Sequence, residues 1–184
     1  MRISVQGTSG SDKTTLARRL AASLGVPHIE LDAINWQPGW RGLNVDDPAE
    51  FALRVEKALA VEAWVCDGNY GNAIRPLVLE RSTDVVILDY DRGVVMRRVI
   101  WRSLTRWLLR SELWPGTGNR EDIRMWLDPG HPIRWAWATH ARRRKRFAEI
   151  MADPALAHVR FHRLIRPAEA KALIHRLRAP TQPA

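Results

Sequence analysis

The stretch that decides the fold is GTSGSDKTT, residues 7–15. Phosphate-binding loops of the P-loop class follow the pattern G-x-x-x-x-G-K-[ST], in which glycines let the backbone approach phosphate closely. Gly7, Lys13 and Thr14 occupy their required positions in this pattern, whereas Asp12 stands where the second glycine belongs. The first question is therefore whether this loop still binds phosphate with one position substituted.

The residues on either side of the loop favour a true phosphate-binding loop. The apolar run 2–7 predicts a β-strand, and leucines recurring every fourth residue from Leu16 predict a helix that begins near Lys13. In that arrangement, loop amides and the helix N-terminus point at the phosphates. The residues expected to bind a nucleotide are Gly7, Thr8, Ser9, Gly10, Ser11, Asp12, Lys13, Thr14 and Thr15.

Two side chains of the loop support binding, and Asp12 opposes it. The motif predicts that the Lys13 ammonium reaches the β- and γ-phosphates of ATP and that the Thr14 hydroxyl binds Mg²⁺. The Asp12 side chain fills space that the backbone needs, and its carboxylate lies near a polyanion. Two like charges ~4 Å apart cost about 4 kcal/mol at an effective dielectric constant of ~20, roughly a thousandfold in affinity. We expect a smaller loss where Lys13 or Mg²⁺ compensates.

Beyond the loop, predicted strands alternate with predicted helices. The strands are expected at 2–7, 26–32, 63–68, 83–91 and 157–164. The helices are expected from about 13 to 24, and at 48–62, 92–111, 131–152 and 167–178. This alternation predicts an α/β fold with a five-stranded parallel sheet and helices on both faces. We expect one domain, 1–184, with a lid-like helical insertion at about 103–140 and a frayed tail at 179–184.

Composition limits the class of protein and its partners. The net charge of +9 favours anionic partners, namely nucleotides, phosphorylated metabolites, nucleic acid or an acidic protein. The N-terminus has no apolar signal-peptide segment, and no window reaches ~18 consecutive apolar residues. With Cys66 as its single cysteine, the chain is expected to be cytoplasmic, with no disulfide and no membrane span. Cys66 is expected to be buried and inert, and the histidines show no metal-ligand spacing.

Four further stretches resemble one family of small kinases. They are ELDAINWQPGW (30–40), WVCDGNYG (64–71), VVILDYDR (85–92) and ELWPGTGNRE (112–121). With the loop, they resemble adenylate-kinase-related P-loop kinases, the topology-modulation or FlaR-like proteins. The resemblance implies a three-layer P-loop NTPase fold, nucleoside-monophosphate-kinase-like with a helical lid, and ATP-dependent transfer to a small-molecule or nucleotide acceptor. Asp12 departs from the family pattern, so we expect this chain to be weakly active or inactive.

The resemblance also assigns roles to two carboxylates at predicted strand ends. Asp67 resembles the aspartate that holds water on Mg²⁺ in adenylate kinases; the alternative is a helix N-cap. Asp32 resembles a residue that faces the acceptor, where it orients a hydroxyl or takes its proton; the alternative is a loop cap. Trp36 and Trp40 wall an acceptor pocket or belong to the core. Asp89 is expected to have a structural or supporting role.

The resemblance also implies roles for several arginines between residues 92 and 146. Arg98 and Arg102 resemble arginines that stack on adenine and contact phosphate, whereas Arg106 and Arg110 are expected to lie on a solvated face. Arg120 is the candidate lid arginine that stabilises charge on the transferred phosphoryl group. A further phosphate contact is expected from Arg142 or Arg143.

Two other functions stay open at this stage. The basic segment 97–146 lies in a region that holds six of the nine tryptophans, and it could bind nucleic acid on a relic P-loop scaffold. Alternatively, the chain is a kinase-type toxin or regulator inactivated at residue 12. A growth comparison of the Asp12 chain with its Asp12→Gly variant separates the toxin hypothesis from the others.

Overall fold

The computed structural model describes residues 1–71 and 73–178, so the predicted frayed tail lies outside the described residues. The strands are β1 (Arg2–Gly7), β2 (His28–Glu30), β3 (Trp36–Gln37), β4 (Arg41–Gly42), β5 (Trp64–Asp67), β6 (Asp84–Leu88) and β7 (Arg160–Leu164). The helices are α1 (Lys13–Leu24), α2 (Leu31–Asn35), α3 (Leu43–Asp46), α4 (Pro48–Ala58), α5 (Ile74–Leu79), α6 (Arg92–Leu109), α7 (Pro132–Met151) and α8 (Glu169–Arg178). Short 3₁₀ helices cover Pro38–Trp40, Ile123–Leu127 and Pro154–Leu156.

The predicted five-stranded parallel sheet is confirmed, with the strand order β2-β5-β1-β6-β7. Side chains alternate between its faces, as the period of a strand requires. Val86 and Leu88 of β6 pack into the cluster that contains residues of α1, α6 and α8. Val85 and Ile87 pack into a second cluster, with Phe147 and Ile150 of α7. Both faces of the sheet are therefore covered by helices, which explains why β5 and β6 are buried throughout.

The strand order fixes where a ligand binds. β1 lies between β5 and β6, because the chain crosses from β1 to β2 on one side of β1 and later from β5 to β6 on the other side. A crevice forms outside the carboxyl ends of the strands at such a switch point. β1 ends at Gly7 and β5 ends at Asp67, so the phosphate loop and the predicted magnesium residue share this edge.

Several predicted boundaries change in the structure. The predicted strand 26–32 shortens to His28–Glu30, because this edge strand pairs only with β5 through three residues. Asp32 therefore does not end a strand; it lies in the first turn of α2. The β3–β4 hairpin and helix α5 were missed, since both are too short to show a clear periodicity. The hairpin turns through Gly39 at φ +72°, a conformation that suits glycine.

The predicted lid segment contains two helix halves and a loop. It comprises the C-terminal half of α6, the N-terminal half of α7 and residues 110–131, which connect them, and α6 packs against α7. An antiparallel bridge between Glu112 and Arg120 and the 3₁₀ helix Ile123–Leu127 give this connection local order. Within the described part of the chain, no helix has an apolar segment of the length that a membrane span needs.

A buried carboxylate at the start of β6, at the opposite end of the strands from the phosphate loop, provides a test of stability. Asp84 is fully buried and bonds Arg160 in two places (3.0 and 2.9 Å) and His162 (2.8 Å). Burial alone would raise the pKa of this carboxyl, but hydrogen bonds from His162, Arg160 and Thr83 outweigh it and lower the pKa. The ionised form therefore stabilises the fold at neutral pH.

We expect Asp84→Asn to lower the free energy of unfolding by about 3 kcal/mol, because it removes one partner of a buried charged cluster. An unfolded aspartate titrates near pH ~3.9, above the folded pKa. The native chain should therefore lose this stabilisation as the pH falls below about 5, and the variant should show a shallower slope. Denaturant unfolding between pH 7 and 3 measures both effects. Asp46→Asn removes an exposed carboxylate paired with Arg41, so it should change stability little.

Candidate functional site

The phosphate loop follows β1 and packs tightly against α6. The Ser11 amide donates a hydrogen bond to the Thr8 carbonyl (3.0 Å), which closes a turn. Gly10 has φ +86°, and a Cβ there would lie 2.6 Å from the Val95 carbonyl oxygen. A Cβ on Gly7 would lie 2.4 Å from the Ser11 hydroxyl. The close approach of loop and α6 therefore requires glycine at position 10, whereas the contact at Gly7 lies within the loop itself. Of the other predicted loop contacts, Thr8 and Ser11 are buried, Ser9 is half-buried and Thr15 is exposed.

Asp12 adopts the backbone conformation of the glycine that it replaces. Its φ of 64° and ψ of 31° are left-handed, where glycine is favoured and aspartate is tolerated. Its carbonyl accepts the first hydrogen bond of α1, from the Leu16 amide (3.0 Å). Its carboxylate pairs with the Arg98 guanidinium at 3.0 Å, and the same Arg98 nitrogen lies 3.5 Å from the Ser11 carbonyl oxygen. Asp12 is thus paired with Arg98, an arginine that was predicted to bind the nucleotide.

Thr14 and Asp67, the two predicted magnesium residues, are in direct contact. The Thr14 hydroxyl donates to Asp67 Oδ2 at 2.6 Å, and the Asp67 side chain is 1% exposed. The other oxygen, Oδ1, lies 2.7 Å from His28 Nε2. His28 was missed as a site residue, because its position on the neighbouring strand becomes visible only once the strands are paired. Lys13 opens α1 with a partly exposed side chain that has no ion pair among the described residues.

The donor atoms of this pair suit Mg²⁺. A hydroxyl and a carboxylate are hard oxygen ligands, and Mg²⁺ bound to a nucleotide takes one or two carboxylates besides water and phosphate oxygens. Within 1–71 and 73–178, no group of three acidic, histidine or cysteine side chains could hold a metal by itself. The residues present therefore fit a magnesium ion that arrives with phosphate. The alternative reading of Asp67 as an N-cap finds no support, since α5 begins at Ile74 after Ala73.

The loop after β5 is joined to the phosphate loop. The Asn69 side chain accepts a hydrogen bond from the Gly7 amide at 3.3 Å and donates one to the Gly7 carbonyl. Gly68 has φ +141°, and a Cβ there would lie 2.6 Å from Leu31 Cβ. These contacts hold the end of β5 against the end of β1, so Asp67 keeps a fixed position beside Thr14.

Asp32 faces the same edge of the sheet and is held by a tyrosine. The Tyr70 hydroxyl donates to Asp32 Oδ1 at 2.7 Å. Burial, and then the charge of Asp32, raise the pKa of the Tyr70 hydroxyl, so this group stays a hydrogen-bond donor. Asp32 itself is half-buried, which leaves its second oxygen able to meet a ligand.

Three tryptophans connect the hairpin to the lid segment. Trp36 stacks on Trp114 with ring centroids 6.0 Å apart, and Trp40 meets both rings edge-on. The Trp114 indole donates to Glu30 Oε1 at 3.2 Å, which ties this group to the end of β2. Trp36 and Trp40 were predicted to form a wall or core, and they lie half-buried between hairpin and lid.

One arginine of α6 is less exposed than the sequence predicted. Arg106 was expected on a solvated face, but it is half-buried. Burial lowers its pKa, and the carboxylates of Glu121, Glu30 and Asp32 oppose that shift. The prediction failed because the sequence does not show that the 110–131 connection covers this face. Arg110 is exposed.

The remaining predicted residues lie in separate places. Arg120 is exposed in the lid segment and has no ion pair within the described ranges, so its role in catalysis stays a prediction. Arg143 is half-buried, whereas Arg142 is exposed. Asp89 pairs with Arg144 (2.9 Å) and Arg163 (2.5 Å), which links α7 and β7 to the end of β6.

Solved structures of small kinases share this fold. A shikimate kinase from Bacteroides thetaiotaomicron superposes with a TM-score of 0.55 at 15% identity over 96% of each chain. A shikimate kinase from Acinetobacter baumannii, solved with shikimate, gives 0.52 at 17% identity over 96% of this chain and 89% of that one. A sugar kinase from Janibacter sp. HTCC2649 superposes with a TM-score of 0.50 at 19% identity, over 96% of this chain and 91% of that one.

No protein-family model matches the sequence, and no curated protein matches it. At these identities, the solved structures establish the fold alone. The predicted fold class, a small P-loop kinase fold with a parallel five-stranded sheet, is confirmed. Membership of the adenylate-kinase-related family stays a prediction.

Proposed function

We propose that this chain is a P-loop phosphotransferase that binds Mg-ATP and acts on a small-molecule or nucleotide acceptor, and that Asp12 impairs it. The observation that carries the proposal is the 2.6 Å hydrogen bond between Thr14 Oγ1 and Asp67 Oδ2, beside a loop that leads from β1 into α1. This contact supports the proposal because it joins the two candidate magnesium ligands beside a helix N-terminus, where phosphate binds favourably.

Each part of the site has a role in this proposal. The loop amides and Lys13 would bind the phosphates, and Thr14 and Asp67 would hold Mg²⁺, the latter through water. Bound Mg²⁺ would neutralise charge on the β- and γ-phosphates. Asp32, held by Tyr70, would orient an acceptor hydroxyl.

The transfer itself needs little covalent chemistry from the protein. The acceptor oxygen bonds to the γ-phosphorus, the bond to the β-phosphate oxygen breaks to release ADP, and the hydroxyl proton passes to Asp32. The lid residue Arg120 would stabilise charge on the phosphoryl group. Arg98 would join it once it leaves Asp12.

Nucleotide binding to matched lysine variants tests this proposal. In the Asp12→Gly background, we expect Lys13→Ala to weaken Mg-ATP binding at least about tenfold, because a hydrogen bond between charged groups is lost. Lys57→Ala removes an exposed lysine of α4 and should leave the affinity unchanged. Calorimetry gives both affinities, and a screen of hydroxylated acceptors for ADP formation follows. Equal affinities of the two variants would refute a phosphate-binding role of the loop.

A second candidate, nucleic-acid binding, rests on the exposed aromatic and basic surface of the lid helices. Trp101 and Trp137 are 69% and 58% exposed, and the Arg92 guanidinium lies 4.8 Å from the Trp137 ring centroid. Exposed rings beside arginines can stack on bases while the cations contact phosphates. This candidate predicts single-strand binding without ATP that weakens steeply as salt rises. Fluorescence titration at ~50 mM and ~200 mM salt measures it, and an absence of binding at the lower salt rules the candidate out.

A further inference from the structure

Beside the phosphate loop, acidic and basic side chains face one another across the space between hairpin and lid. The acidic side consists of Glu30, Asp32 and Glu121, and each already has a hydrogen-bond partner. Glu30 bonds Arg18 (2.9 Å) and the Trp114 indole. Asp32 accepts from Tyr70, and Glu121 lies 2.8 Å from His131 Nε2.

The basic side consists of Arg102, Arg106 and Arg143, which have no such partners in the described part of the chain. None of the three forms an ion pair or a side-chain hydrogen bond within 1–71 and 73–178, although all are half-buried. The Nε of Arg102 is buried and has no hydrogen-bond partner among the residues that the structure describes. A guanidinium removed from water costs free energy unless an anion or an acceptor meets it. Three of them together therefore provide a site for an anion.

The helices explain why these arginines converge. Arg98, Arg102 and Arg106 recur every fourth residue on α6, so they form one stripe. Arg98 fixes the start of this stripe at the phosphate loop, through its 3.0 Å contact with Asp12. α7 packs on α6 and adds Arg143. The stripe thus runs from the phosphate loop toward the carboxylates around Asp32.

Electrostatic coupling agrees with this geometry. Burial lowers the pKa of all three guanidiniums, that of Arg102 to about 10, and the carboxylate of Asp32 opposes the shift in each case. Arg106 lowers the pKa of Arg102 further, and Arg142 and Arg75 lower the pKa of Arg143. All three guanidiniums remain charged at neutral pH, so the repulsion from these neighbouring arginines persists until an anion binds.

We infer that this space binds the phosphoryl acceptor, and that the acceptor carries an anionic group, a carboxylate or a phosphate, besides its reacting hydroxyl. The anion would contact Arg102, Arg106 and Arg143, whose planar forks match carboxylate and phosphate oxygens. The hydroxyl would contact Asp32. This inference deepens the proposed function and rests on it for the identity of the bound molecule as an acceptor.

Three six-carbon probes test the inference without any nucleotide: sorbitol, gluconate and sorbitol 6-phosphate. They share a hydroxylated chain and differ in carrying no anion, a carboxylate or a phosphate. Calorimetric titrations at constant ionic strength use the Lys13→Ala chain, so that the phosphate loop does not compete for the phosphate probe. Arg106→Gln and Arg143→Gln are then added singly. Arg110→Gln, at the residue that follows α6, and Lys145→Gln on α7 are matched controls, because both remove exposed charges.

We expect at least one anionic probe to bind at least tenfold more tightly than sorbitol. Arg106→Gln and Arg143→Gln should each remove most of that preference, whereas the two controls should change it less than twofold. The preferred probe identifies the anion as carboxylate or phosphate. Equal binding of all three probes, or equal losses in the controls, overturns the inference.

Thermal unfolding of the same variants separates an anion site from a structural role. Removing a half-buried guanidinium that makes no ion pair within the described residues should leave the melting temperature of the unliganded chain unchanged or raise it. A fall in melting temperature for Arg106→Gln would mean that this arginine supports the fold, and would count against the inference. Failure of the proposed function has a different readout, since it appears as absent Mg-ATP binding in Asp12→Gly while the anion preference remains.

Discussion

Asp12→Gly is expected to strengthen Mg-ATP binding about a hundredfold. Repulsion between the Asp12 carboxylate and phosphate would cost about 4 kcal/mol at ~4 Å and an effective dielectric constant of ~20, or roughly a thousandfold. The 3.0 Å ion pair with Arg98 offsets part of that cost, because the guanidinium neutralises the carboxylate. Glycine removes the charge, suits the left-handed backbone at this position and frees Arg98 to meet the nucleotide.

Calorimetric titration of Mg-ATP into the native chain and the glycine variant measures the effect, and Asp12→Asn serves as the control. Asparagine keeps the volume of aspartate and removes its charge, so an affinity near that of glycine would assign the defect to electrostatics. An affinity near that of the native chain would assign it to the space that the side chain fills. If glycine brings no gain at all, the impairment by Asp12 is refuted.

Asp67→Asn, introduced into the Asp12→Gly chain, is expected to lower turnover between about 10²- and 10³-fold, the usual effect of removing one preorganised charge from a transfer site. Asparagine still accepts the hydrogen bond from Thr14, so the fold should persist. Nucleotide affinity should lose its dependence on Mg²⁺, because the amide holds magnesium-bound water poorly compared with a carboxylate.

Titrations with Mg²⁺ and with chelator, together with ADP formation once an acceptor is found, measure these effects. Asp91→Asn is the matched control, since it removes a carboxylate that is 84% exposed just before α6. An Asp67→Asn chain whose nucleotide affinity still rises with Mg²⁺ as strongly as its parent would exclude a magnesium role for Asp67.

The sequence predicted the parts of the site that depend on local pattern. The loop from Gly7 to Thr14, the strand before it and the helix after it form one continuous segment, so spacing alone identified them. Asp67 was predicted in the same way, because an apolar strand ends there. His28 and Asn69 were not found, because neither belongs to a local pattern. Their contacts with Asp67 and Gly7 arise only when neighbouring strands and loops meet.

The arginines show the same division between local pattern and tertiary contact. Their four-residue spacing on α6 predicted one basic stripe, and that stripe is present. The sequence could not indicate that Arg106 is half-buried, because this depends on how the 110–131 connection and the end of β2 pack near it, which the helical spacing does not show. Nor could it indicate that Arg98 pairs with Asp12, since 86 positions separate the two residues along the chain.

By itself, therefore, the sequence determined the α/β fold class, the phosphate loop and the substituted glycine position, because these follow from strand and helix periodicity and from one contiguous motif. Only the tertiary structure decided which side chains share the site. Charges and hydrogen-bond partners there come from β2, β5, α6, α7 and the lid segment, and parallel strand pairing and helix packing bring them together. The expected effect of Asp12 depends on both the sequence and the tertiary structure. The motif shows that a carboxylate replaces the expected glycine, and the contact with Arg98 determines how far the charge of that carboxylate is neutralised.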